Sequence, residues 1–342
     1  MKRKIGVIGG GSWGTAIAIL LLNKGYDVNL YLRDEKQLEK IRDSGENAKY
    51  LPGIPIPEEI MITTDLEKSL YEREVVVTSV PSQVVRNVLN SAKKYINKEQ
   101  IIVNVAKGIE NHSLLRISQI VEEILPNNKF AALSGPSHAE EVARNVPTAV
   151  VAASKEKNLA EYIQDVFMTP YFRVYTNPDV IGVELGGSLK NVIALGAGIS
   201  DGLGYGDNTK AALMTRGIIE ISRLGGKMGA NRGTFSGLAG IGDLIVTCTS
   251  MHSRNRRAGI LIGQGVKIED AVKRVGMIVE GIKTTESAYE LSLKYNVPMP
   301  ITKEIYEVLY RGSDVKNSVY NLMLRDKKHE MEEAAQENKY NR

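Results

Sequence analysis

Short apolar runs alternate with longer amphipathic stretches along the first half of the chain. The short runs predict strands over residues 5–8, 28–32, 61–63, 74–80, 101–105, 130–133, 149–153 and 172–175. Between them, residues 114–125 and 159–166 carry apolar positions at helical spacing. This rhythm is typical of strand–helix–strand units in a parallel sheet.

The strand pattern stops after about residue 180. The remaining sequence has helical periodicity and predicts helices over residues 182–200, 207–228, 253–264, 280–296 and 301–312. Because such a change of period marks a domain boundary, we expect a sheet domain over residues 1–180 and a helical domain over residues 181–342. Residues 325–342 carry five basic and five acidic residues with little apolar content, which predicts a polar tail.

Length and composition agree with two globular domains. The chain has 342 residues, 43% of them apolar, and 44 Lys and Arg against 40 Asp and Glu. It is long enough for two cores, and a net charge of +4 does not by itself indicate a nucleic-acid partner. Cys248 is the only cysteine, which excludes an intrachain disulfide and a cysteine-cluster metal site. This cysteine usage predicts a reducing compartment, the cytoplasm.

The basic N-terminus is followed by a largely apolar stretch up to Leu22, as in a signal peptide. Three consecutive glycines at positions 9–11 interrupt that stretch, and no small-residue cleavage pattern follows Leu22. We therefore expect no targeting segment. We also expect no membrane span, because no run reaches the roughly 18 apolar residues that a membrane helix needs.

A glycine-rich loop follows the first predicted strand. Gly9, Gly11 and Gly14 form the pattern G-x-G-x-x-G directly before a helical run. The first glycine makes the tight turn, the second lets the backbone approach a pyrophosphate, and the third lets the helix pack against the strand. The backbone N–H groups of Ser12 and Trp13 would face the phosphates, and Trp13 equally fits a packing role. The sequence thus predicts an α/β fold: an N-terminal, dinucleotide-binding, Rossmann-like doubly wound sheet followed by an all-α C-terminal domain.

The end of the second predicted strand bears on the choice of cofactor. NAD sites commonly use an acidic residue there for the ribose hydroxyls, whereas NADP sites use a basic one for the 2′-phosphate. The chain has Arg33 followed by Asp34 and so supplies both. We favour NADP(H), with Arg33 as the phosphate partner; the alternatives are NAD(H) and an Arg33 that is only a solvated turn residue.

Two charged residues stand alone in apolar segments. Lys190 lies in residues 185–199, which are apolar on nearly every side, and Asp243 is the only charge in residues 237–246. Lysine is almost never buried without a partner, so Lys190 either extends to a domain surface or is functional. The small residues around it favour close packing and hence function. Because a buried carboxylate and a buried ammonium offset each other's desolvation, we expect Lys190 to pair with Asp243.

Two further segments follow predicted strands directly. Lys107 comes after the strand at 101–105, and the segment Ser134 to Ser137 comes after the strand at 130–133. Both therefore stand at the carboxyl edge of the sheet, where open α/β sheets bind ligands. Gly135 permits an unusual backbone conformation. Ser137 is expected to cap a helix, either alone or with a contact to substrate.

A basic cluster opens the predicted helix at 253–264. Three arginines within four residues occur in nucleic-acid patches, but aromatic residues are not interleaved here. We favour a phosphate site formed by Ser253, Arg254 and Asn255 at the helix N-terminus. We place Arg256 and Arg257 on a solvated face.

Two other residue types offer no separate chemistry. The four histidines do not have metal-ligand spacing, so we expect no metal site and surface or capping roles for them. Cys248 is expected to be a small packed residue.

Several long motifs resemble those of the bacterial-type NAD(P)-dependent glycerol-3-phosphate dehydrogenases. The resemblance runs from about residue 5 to about residue 324 and includes residues 9–16, 106–108, 134–137, 182–192, 240–249, 253–257 and 279–281. It implies interconversion of sn-glycerol 3-phosphate and dihydroxyacetone phosphate with NADP(H) or NAD(H). It also implies a supply of glycerol 3-phosphate for membrane lipids, and a homodimer.

The resemblance also implies roles for individual residues. The general base falls on Lys190, with Lys107 and Asp243 as the other catalytic residues. Implied substrate contacts are Lys107, Gly135, Ser137, Lys190, Asp243, Ser253, Arg254 and Asn255. Implied cofactor contacts are Gly9, Gly11, Ser12, Trp13, Gly14, Arg33, Lys107, Ala139, Arg254, Val279 and Glu280.

Two alternatives remain open from the sequence. A related hydroxyacid or phosphosugar dehydrogenase with the same two-domain plan would act on a carboxylate substrate and would not strictly need Arg254. A cofactor-binding regulator that has lost catalysis belongs to a different class. The lone charges Lys190 and Asp243 argue against it, because a sensor has no reason to bury a base.

Overall fold

The strands follow the predicted apolar runs. The computed structural model describes residues 2–327 and 330. Its strands there are β1 (Lys4–Ile8), β2 (Asp27–Tyr31), β3 (Met61–Thr63), β4 (Val75–Thr78), β5 (Ile101–Asn104), β6 (Phe130–Ser134), β7 (Thr148–Ala153) and β8 (Phe172–Asn177). All eight predicted strands are confirmed, with small differences at their ends.

Helices connect these strands and form the rest of the described chain. The α-helices are α1 (Ser12–Asn23), α2 (Glu35–Ser44), α3 (Leu66–Leu70), α4 (Val85–Ala92), α5 (Ile117–Ile124), α6 (Ala139–Val142), α7 (Lys157–Phe167), α8 (Val180–Gly202), α9 (Asp207–Lys227), α10 (Asp243–Thr249), α11 (Arg254–Gly263), α12 (Ile268–Val275), α13 (Glu280–Lys294), α14 (Pro300–Arg311) and α15 (Val315–Met323). Shorter turns are the 3₁₀ segments Ser82–Val84, Lys93–Tyr95 and Arg232–Ser236 and the π-helix Leu238–Gly242.

The strand order across the sheet is β3-β2-β1-β4-β5-β6-β7-β8. The chain runs outward from β1 to β3 and then returns to the centre, where β4 pairs with β1. The direction of winding therefore reverses between β1 and β4, and the carboxyl ends of these two strands flank a crevice. Ligands bind to doubly wound sheets at this position. The observed order confirms the predicted Rossmann-like fold.

One strand pair departs from the predicted parallel arrangement. β6 and β7 are antiparallel, with Leu133 opposite Ala152, whereas the other neighbouring pairs in the described sheet are parallel. The connection between them contains only the four-residue helix α6. It therefore returns at the edge where it began instead of crossing the sheet. An apolar run does not encode strand direction, so the pattern could not reveal this reversal.

Both faces of the sheet are buried under helices. Ile5 and Val7 of β1 belong to the core that includes α1, whereas Ile8 belongs to the core under α4 and α5. Alternate side chains of a strand point to opposite faces. Strands that are buried on both faces are apolar throughout, which is why the short continuous runs predicted them correctly.

Helix α8 is the centre of the helical part of the structure. It packs against α9, α10, α11, α13 and α14 and is buried along nearly its whole length. Its glycines allow close helix contacts: a Cβ added to Gly198 would lie 2.2 Å from the Arg256 carbonyl oxygen, and one added to Gly202 would lie 2.2 Å from that of Ile260. The predicted close packing around this helix is confirmed.

The same helix modifies one expectation about membranes. In the sequence, no apolar run is long enough to predict a membrane helix. By length and composition, however, α8 is apolar enough to cross a bilayer. In the fold, 94% of its apolar window is buried against other parts of the protein. A core helix of a soluble protein meets the same criterion in the same way.

Three helices of the helical domain lie outside the ranges predicted from the sequence. They are α10, α12 and α15, which have seven, eight and nine residues. Helices of about two turns are too short to establish a clear apolar period. Of the predicted polar tail, only residues 325–327 and 330 are described, so the expectation for its remainder and for His329 lies outside the described residues.

Candidate active site

The glycine loop has the geometry that its spacing predicts. Gly9 has φ +121°, and a Cβ there would lie 2.5 Å from the Ser79 carbonyl oxygen at the end of β4. A Cβ on Gly14 would lie 1.9 Å from the Gly9 carbonyl oxygen, whereas one on Gly11 would meet nothing within 4 Å. The first and third glycines are therefore required by packing. The second faces open space, where a pyrophosphate would approach.

Helix α1 offers its N-terminus to that space. The helix has no side-chain cap and no acidic residue in its first turn, so the N–H groups of its first residues are available to an anion. Two side chains hold the loop from behind: Gln37 Nε2 donates to the Gly10 carbonyl at 2.7 Å, and Asn47 Nδ2 donates to it at 3.0 Å. Gln37 and Asn47 were not found from the sequence, since amide side chains in a polar region carry no distinctive pattern.

Trp13 lies within this loop in the first turn of α1, and Arg33 follows β2. Trp13 is half-buried against the sheet core, and its buried indole Nε1 has no hydrogen-bond partner among the described residues. Arg33 is exposed just beyond β2. The neighbouring Asp34 caps α2, with its carboxylate accepting from the Lys36 N–H at 3.1 Å. Asp34 is thus engaged as a helix cap, whereas the Arg33 side chain is exposed to solvent.

The two lone charges of the sequence meet in the structure. The Lys190 ammonium donates to Asp243 Oδ1 at 2.6 Å, and the Lys107 ammonium donates to Asp243 Oδ2 at 2.8 Å. Lys190 is on α8, Asp243 begins α10 directly after the π-helix, and Lys107 follows β5. The predicted Lys190–Asp243 pair is thus confirmed, and Asp243 holds two ammonium groups at once.

The close approach of two backbones sets this geometry. A Cβ on Gly186 would lie 2.3 Å from the Ala239 carbonyl oxygen, so α8 and the π-helix touch one helical turn before Lys190. π-helical turns often occur at functional sites. Thr247, one turn after Asp243, receives a hydrogen bond from the Lys190 ammonium at 2.5 Å. No sequence pattern distinguishes Thr247, because a threonine in a helix usually bonds to its own backbone, as this one also does.

Burial and charge set the protonation of this cluster. Burial lowers the pKa of Lys190, Asp243 raises it and Lys107 lowers it again, which leaves the pKa at about 8. Burial alone would raise the pKa of Asp243, but the two ammonium groups outweigh it and hold that pKa below its ordinary value. Asp243 is therefore ionised, and Lys190 exchanges its proton near neutral pH. These are the properties of a general acid or base.

The loop after β6 lies beside the same cluster. Gly135 has φ +137°, a conformation that favours glycine, and its carbonyl accepts from the Lys107 ammonium at 2.8 Å. The Ser137 hydroxyl donates to that carbonyl at 2.9 Å and lies 3.4 Å from Lys107 Nζ. The expectation that Ser137 caps a helix is wrong: residue 138 occupies the N-cap position of α6. The Ser137 side chain turns toward Lys107 instead.

The basic cluster at the start of α11 divides into two groups. The Ser253 hydroxyl accepts from the Arg256 N–H at 3.2 Å and caps the helix, while Arg254 is partly buried, and this burial lowers its pKa. Arg256 is not on a solvated face as expected, because its Nε donates to Asp201 at 2.8 Å in a mostly buried ion pair. Arg257 is only partly exposed, so it does not lie on a fully solvated face.

Asn255 is held at both ends of its amide. Its Nδ2 donates to Asn191 at 2.9 Å, and its Oδ1 accepts from the Gly281 N–H at 2.8 Å. One amide hydrogen of Asn255 therefore remains for a ligand. The contact also ties α11 to the first turn of α13.

That first turn of α13 reaches back to the sheet. The Glu280 carboxylate accepts from the Ser82 N–H at 3.1 Å and from the Ser82 hydroxyl at 2.7 Å, at the crevice beside β4. Burial raises the pKa of Glu280, and the bonds from Ser82 oppose that rise. Val279 is the buried N-cap residue of the helix, and Ala139 is the buried first residue of α6, which packs on α1. Ser82 was not found from the sequence.

The predicted residues thus assemble along the carboxyl edge of the sheet, opposite α8, α10, α11 and α13. Buried polar atoms without partners among the described residues, Trp13 Nε1 and Ser134 Oγ, lie at this edge as well. The cradle of the glycine loop and the uncapped α1 fit a dinucleotide. Within the described chain, no group of three His, Cys, Asp or Glu side chains is placed to hold a metal ion.

Comparison with known proteins gives a consistent result. The family model described as "NAD-dependent glycerol-3-phosphate dehydrogenase N-terminus" matches residues 4–160. The model described as the C-terminus of the same family matches residues 179–320. A Thermoanaerobacter sp. (strain X514) protein named glycerol-3-phosphate dehydrogenase (NAD(P)+) is 58% identical over 328 residues, 96% of this chain and 99% of the relative. The Bacillus subtilis (strain 168) protein of that name is 52% identical over 334 residues, 97% of each chain. The crystal structure of glycerol-3-phosphate dehydrogenase from Coxiella burnetii has a TM-score of 0.92 at 38% identity, covering 95% of this chain and 99% of that one.

Proposed function

This chain belongs to the NAD-dependent glycerol-3-phosphate dehydrogenase family, and we propose that it interconverts sn-glycerol 3-phosphate and dihydroxyacetone phosphate. The observation that carries the proposal is the buried cluster of Lys190, Asp243 and Lys107 at the same carboxyl edge of the sheet as the glycine loop. A nicotinamide cofactor bound at that loop supplies the hydride acceptor or donor. The residues of the chain supply the proton, the orientation and the binding of phosphate.

Lys190 is the general base of the oxidation. As the C2–H bond of glycerol 3-phosphate breaks and its electron pair leaves as hydride, the C2 hydroxyl proton passes to the neutral Lys190 amine and the C2–O bond becomes a carbonyl. In the reverse direction the Lys190 ammonium polarises the ketone and returns the proton. A pKa of about 8 supports this role, because it makes both forms accessible near neutral pH.

Asp243 and Lys107 assist the reaction at the C2 oxygen. Asp243 acts through Lys190, and Lys107 acts through its contact with the substrate. Asp243 keeps Lys190 from losing its proton too readily and fixes the direction of its Nζ at 2.6 Å. Lys107, which also donates to the Gly135 carbonyl, is the residue that we propose contacts both the cofactor and the substrate. Gly135 and Ser137 complete the substrate wall on this side.

The phosphate of the substrate is proposed to bind at the start of α11. Arg254 supplies a guanidinium, Ser253 retains its hydroxyl proton for donation, and Asn255 retains one amide hydrogen. Holding the phosphate away from the reacting carbon provides orientation as well as affinity. The carboxylate substrate of a hydroxyacid dehydrogenase would not need this set.

The cofactor is proposed to lie from the glycine loop to α13. Gly9, Gly11, Ser12, Trp13 and Gly14 form the pyrophosphate end. Arg33 favours NADP(H) over NAD(H), because Asp34 is engaged as a helix cap. Ala139, Arg254, Val279 and Glu280 line the nicotinamide end.

The cellular setting is also part of the proposal. The single cysteine and the family membership support a cytoplasmic enzyme that works as a homodimer on a small phosphate substrate, without nucleic acid or a membrane span. Reduction of dihydroxyacetone phosphate would then provide glycerol 3-phosphate for phospholipid synthesis.

The test is the oxidation of NADPH and NADH, measured in parallel on the purified protein with dihydroxyacetone phosphate. We expect turnover with at least one cofactor, faster with NADPH. Equal or greater activity with a 2-ketoacid that lacks phosphate would point to the hydroxyacid alternative. Cofactor binding by folded protein without turnover on either substrate would favour the regulator.

A further inference from the structure

One partly buried imidazole lies in this site without an assigned role. His138 stands between Ser137 and Ala139 at the start of α6, and its Nε2 is buried with no hydrogen-bond partner among the described residues. A buried polar atom without a partner is costly, and native structures rarely keep one without a reason. A bound ligand that completes the hydrogen bond would remove this cost.

The surroundings of His138 indicate which end of the substrate it would meet. Its ring lies 5.7 Å from the ring of His252, tilted by 52°. His252 directly precedes Ser253 and Arg254 at the N-terminus of α11, whose first turn carries no acidic residue. His138 therefore extends from the sheet side toward the helix end that carries the phosphate-binding residues.

We propose that His138 is a further substrate-binding residue, whose imidazole donates a hydrogen bond to the phosphate group of the triose phosphate. The proposal rests on the proposed function, since it adds a contact to the same substrate. Neutral imidazole carries one N–H donor, and a phosphate dianion presents only acceptors. Hydrogen bonds to charged groups are the stronger ones, so this contact would matter for affinity and for selection of phosphorylated substrates.

The charges around His138 make the contact depend on pH. Burial lowers the pKa of His138, and Lys190 of α8 and Lys107 beyond β5 lower it further, while Glu140 and Glu141 of its own helix raise it. His252 faces it from the loop before α11. A phosphate dianion placed beside the ring favours the charged form and raises the pKa. Binding then takes up a proton, so the part of the His138 contribution that depends on its charge grows as the pH falls and is lost as the pH rises through the pKa of the bound state, while the hydrogen bond from the neutral ring remains.

The variants separate this role from simple packing. His138→Phe keeps an aromatic ring against His252 without a donor, and His138→Gln keeps a donor that does not titrate. His112→Asn is the matched control, because His112 is exposed elsewhere and has φ +66°, which asparagine tolerates. Each variant is checked for thermal unfolding and for NADPH binding before kinetics.

We expect His138→Phe to raise the KM for dihydroxyacetone phosphate and the inhibition constant of inorganic phosphate by roughly tenfold, with the KM for NADPH unchanged. The wild-type to His138→Gln ratio of kcat/KM should rise between pH 8 and pH 6. Ionisation of the substrate phosphate is common to both proteins and cancels in that ratio. His112→Asn should behave as wild type.

The proposal is overturned if the KM and the phosphate inhibition constant of His138→Phe stay within twofold of wild type, or if only the KM for NADPH changes. An active wild type with such a result refutes the role of His138 and leaves the proposed function intact. If wild type is inactive on dihydroxyacetone phosphate, the proposed function fails. Calorimetric titration of inorganic phosphate into the NADPH-loaded wild type and His138→Phe then tests the contact directly, and equal affinities refute it.

Discussion

Replacing Asp243 by asparagine should move the pH dependence of the enzyme in a defined direction. The substitution keeps the shape of the side chain but removes the negative charge that lies 2.6 Å from the Lys190 ammonium and 2.8 Å from the Lys107 ammonium. Burial and Lys107, both of which lower the pKa of Lys190, remain in place. The protonated form of Lys190 therefore loses the charge interaction that stabilises it most.

The size of the change follows from the geometry. An opposite charge within about 4–6 Å raises a lysine pKa by ~1–3, so the pKa of Lys190 should fall from about 8 to about 6 in Asp243→Asn. Reduction needs protonated Lys190. The rate of reduction should therefore decline at a pH about two units lower than in wild type. Oxidation needs the neutral amine, and its rise with pH should move to lower pH by the same amount.

The assay is kcat/KM for both directions between pH 5.5 and pH 9.5. Asp201→Asn is a suitable control, because it removes a carboxylate from an ion pair with Arg256 at 2.8 Å and with Lys210 at 2.9 Å near the far end of α8. It should leave the pH profile in place. An Asp243→Asn profile that coincides with the wild-type profile, in a folded protein, would refute the assignment of the pKa to Lys190.

Other substitutions test the cofactor site. Gly14→Ala places a Cβ 1.9 Å from the Gly9 carbonyl and should lower the free energy of unfolding by about 1–3 kcal/mol, as measured by urea unfolding. Gly11→Ala meets nothing within 4 Å and should remain stable while NADPH affinity, measured by fluorescence titration, falls; equal stability losses in both would contradict the division of roles. Arg33→Ala should raise the KM for NADPH by about tenfold and leave that for NADH unchanged. An unchanged preference for NADPH would remove Arg33 from the cofactor site.

The sheet was predictable because its strands are buried on both faces. Runs such as those containing Ile5 or Val76 must be apolar at every position, and this leaves a clear signal in the sequence. The antiparallel pairing of β6 and β7 left no such signal, because the side chains of a buried strand are the same in either direction. The short helix α10 was also missed, since seven residues do not establish a period.

The residues of the site likewise divide into those that the sequence revealed and those that it did not. Lys190 and Asp243 were found because a charge in an apolar segment is unusual enough to need an explanation. Thr247 and Ser82 are also hydrogen-bonded to residues of the site. Hydroxyl side chains occur in so many settings, however, that only their three-dimensional positions identify them. Ser137 was wrongly expected to cap a helix, because the turn made by Gly135 directs its hydroxyl back to that residue's carbonyl.

The central claim is that Lys190 transfers the proton. The most direct measurement is the turnover of NADPH by Lys190→Ala with saturating dihydroxyacetone phosphate, beside wild type and with NADPH binding measured on the same samples. The account predicts that kcat falls by at least ~10²-fold while NADPH affinity is retained, since general acid catalysis contributes about that much or more. A folded Lys190→Ala protein with turnover near that of wild type would contradict it.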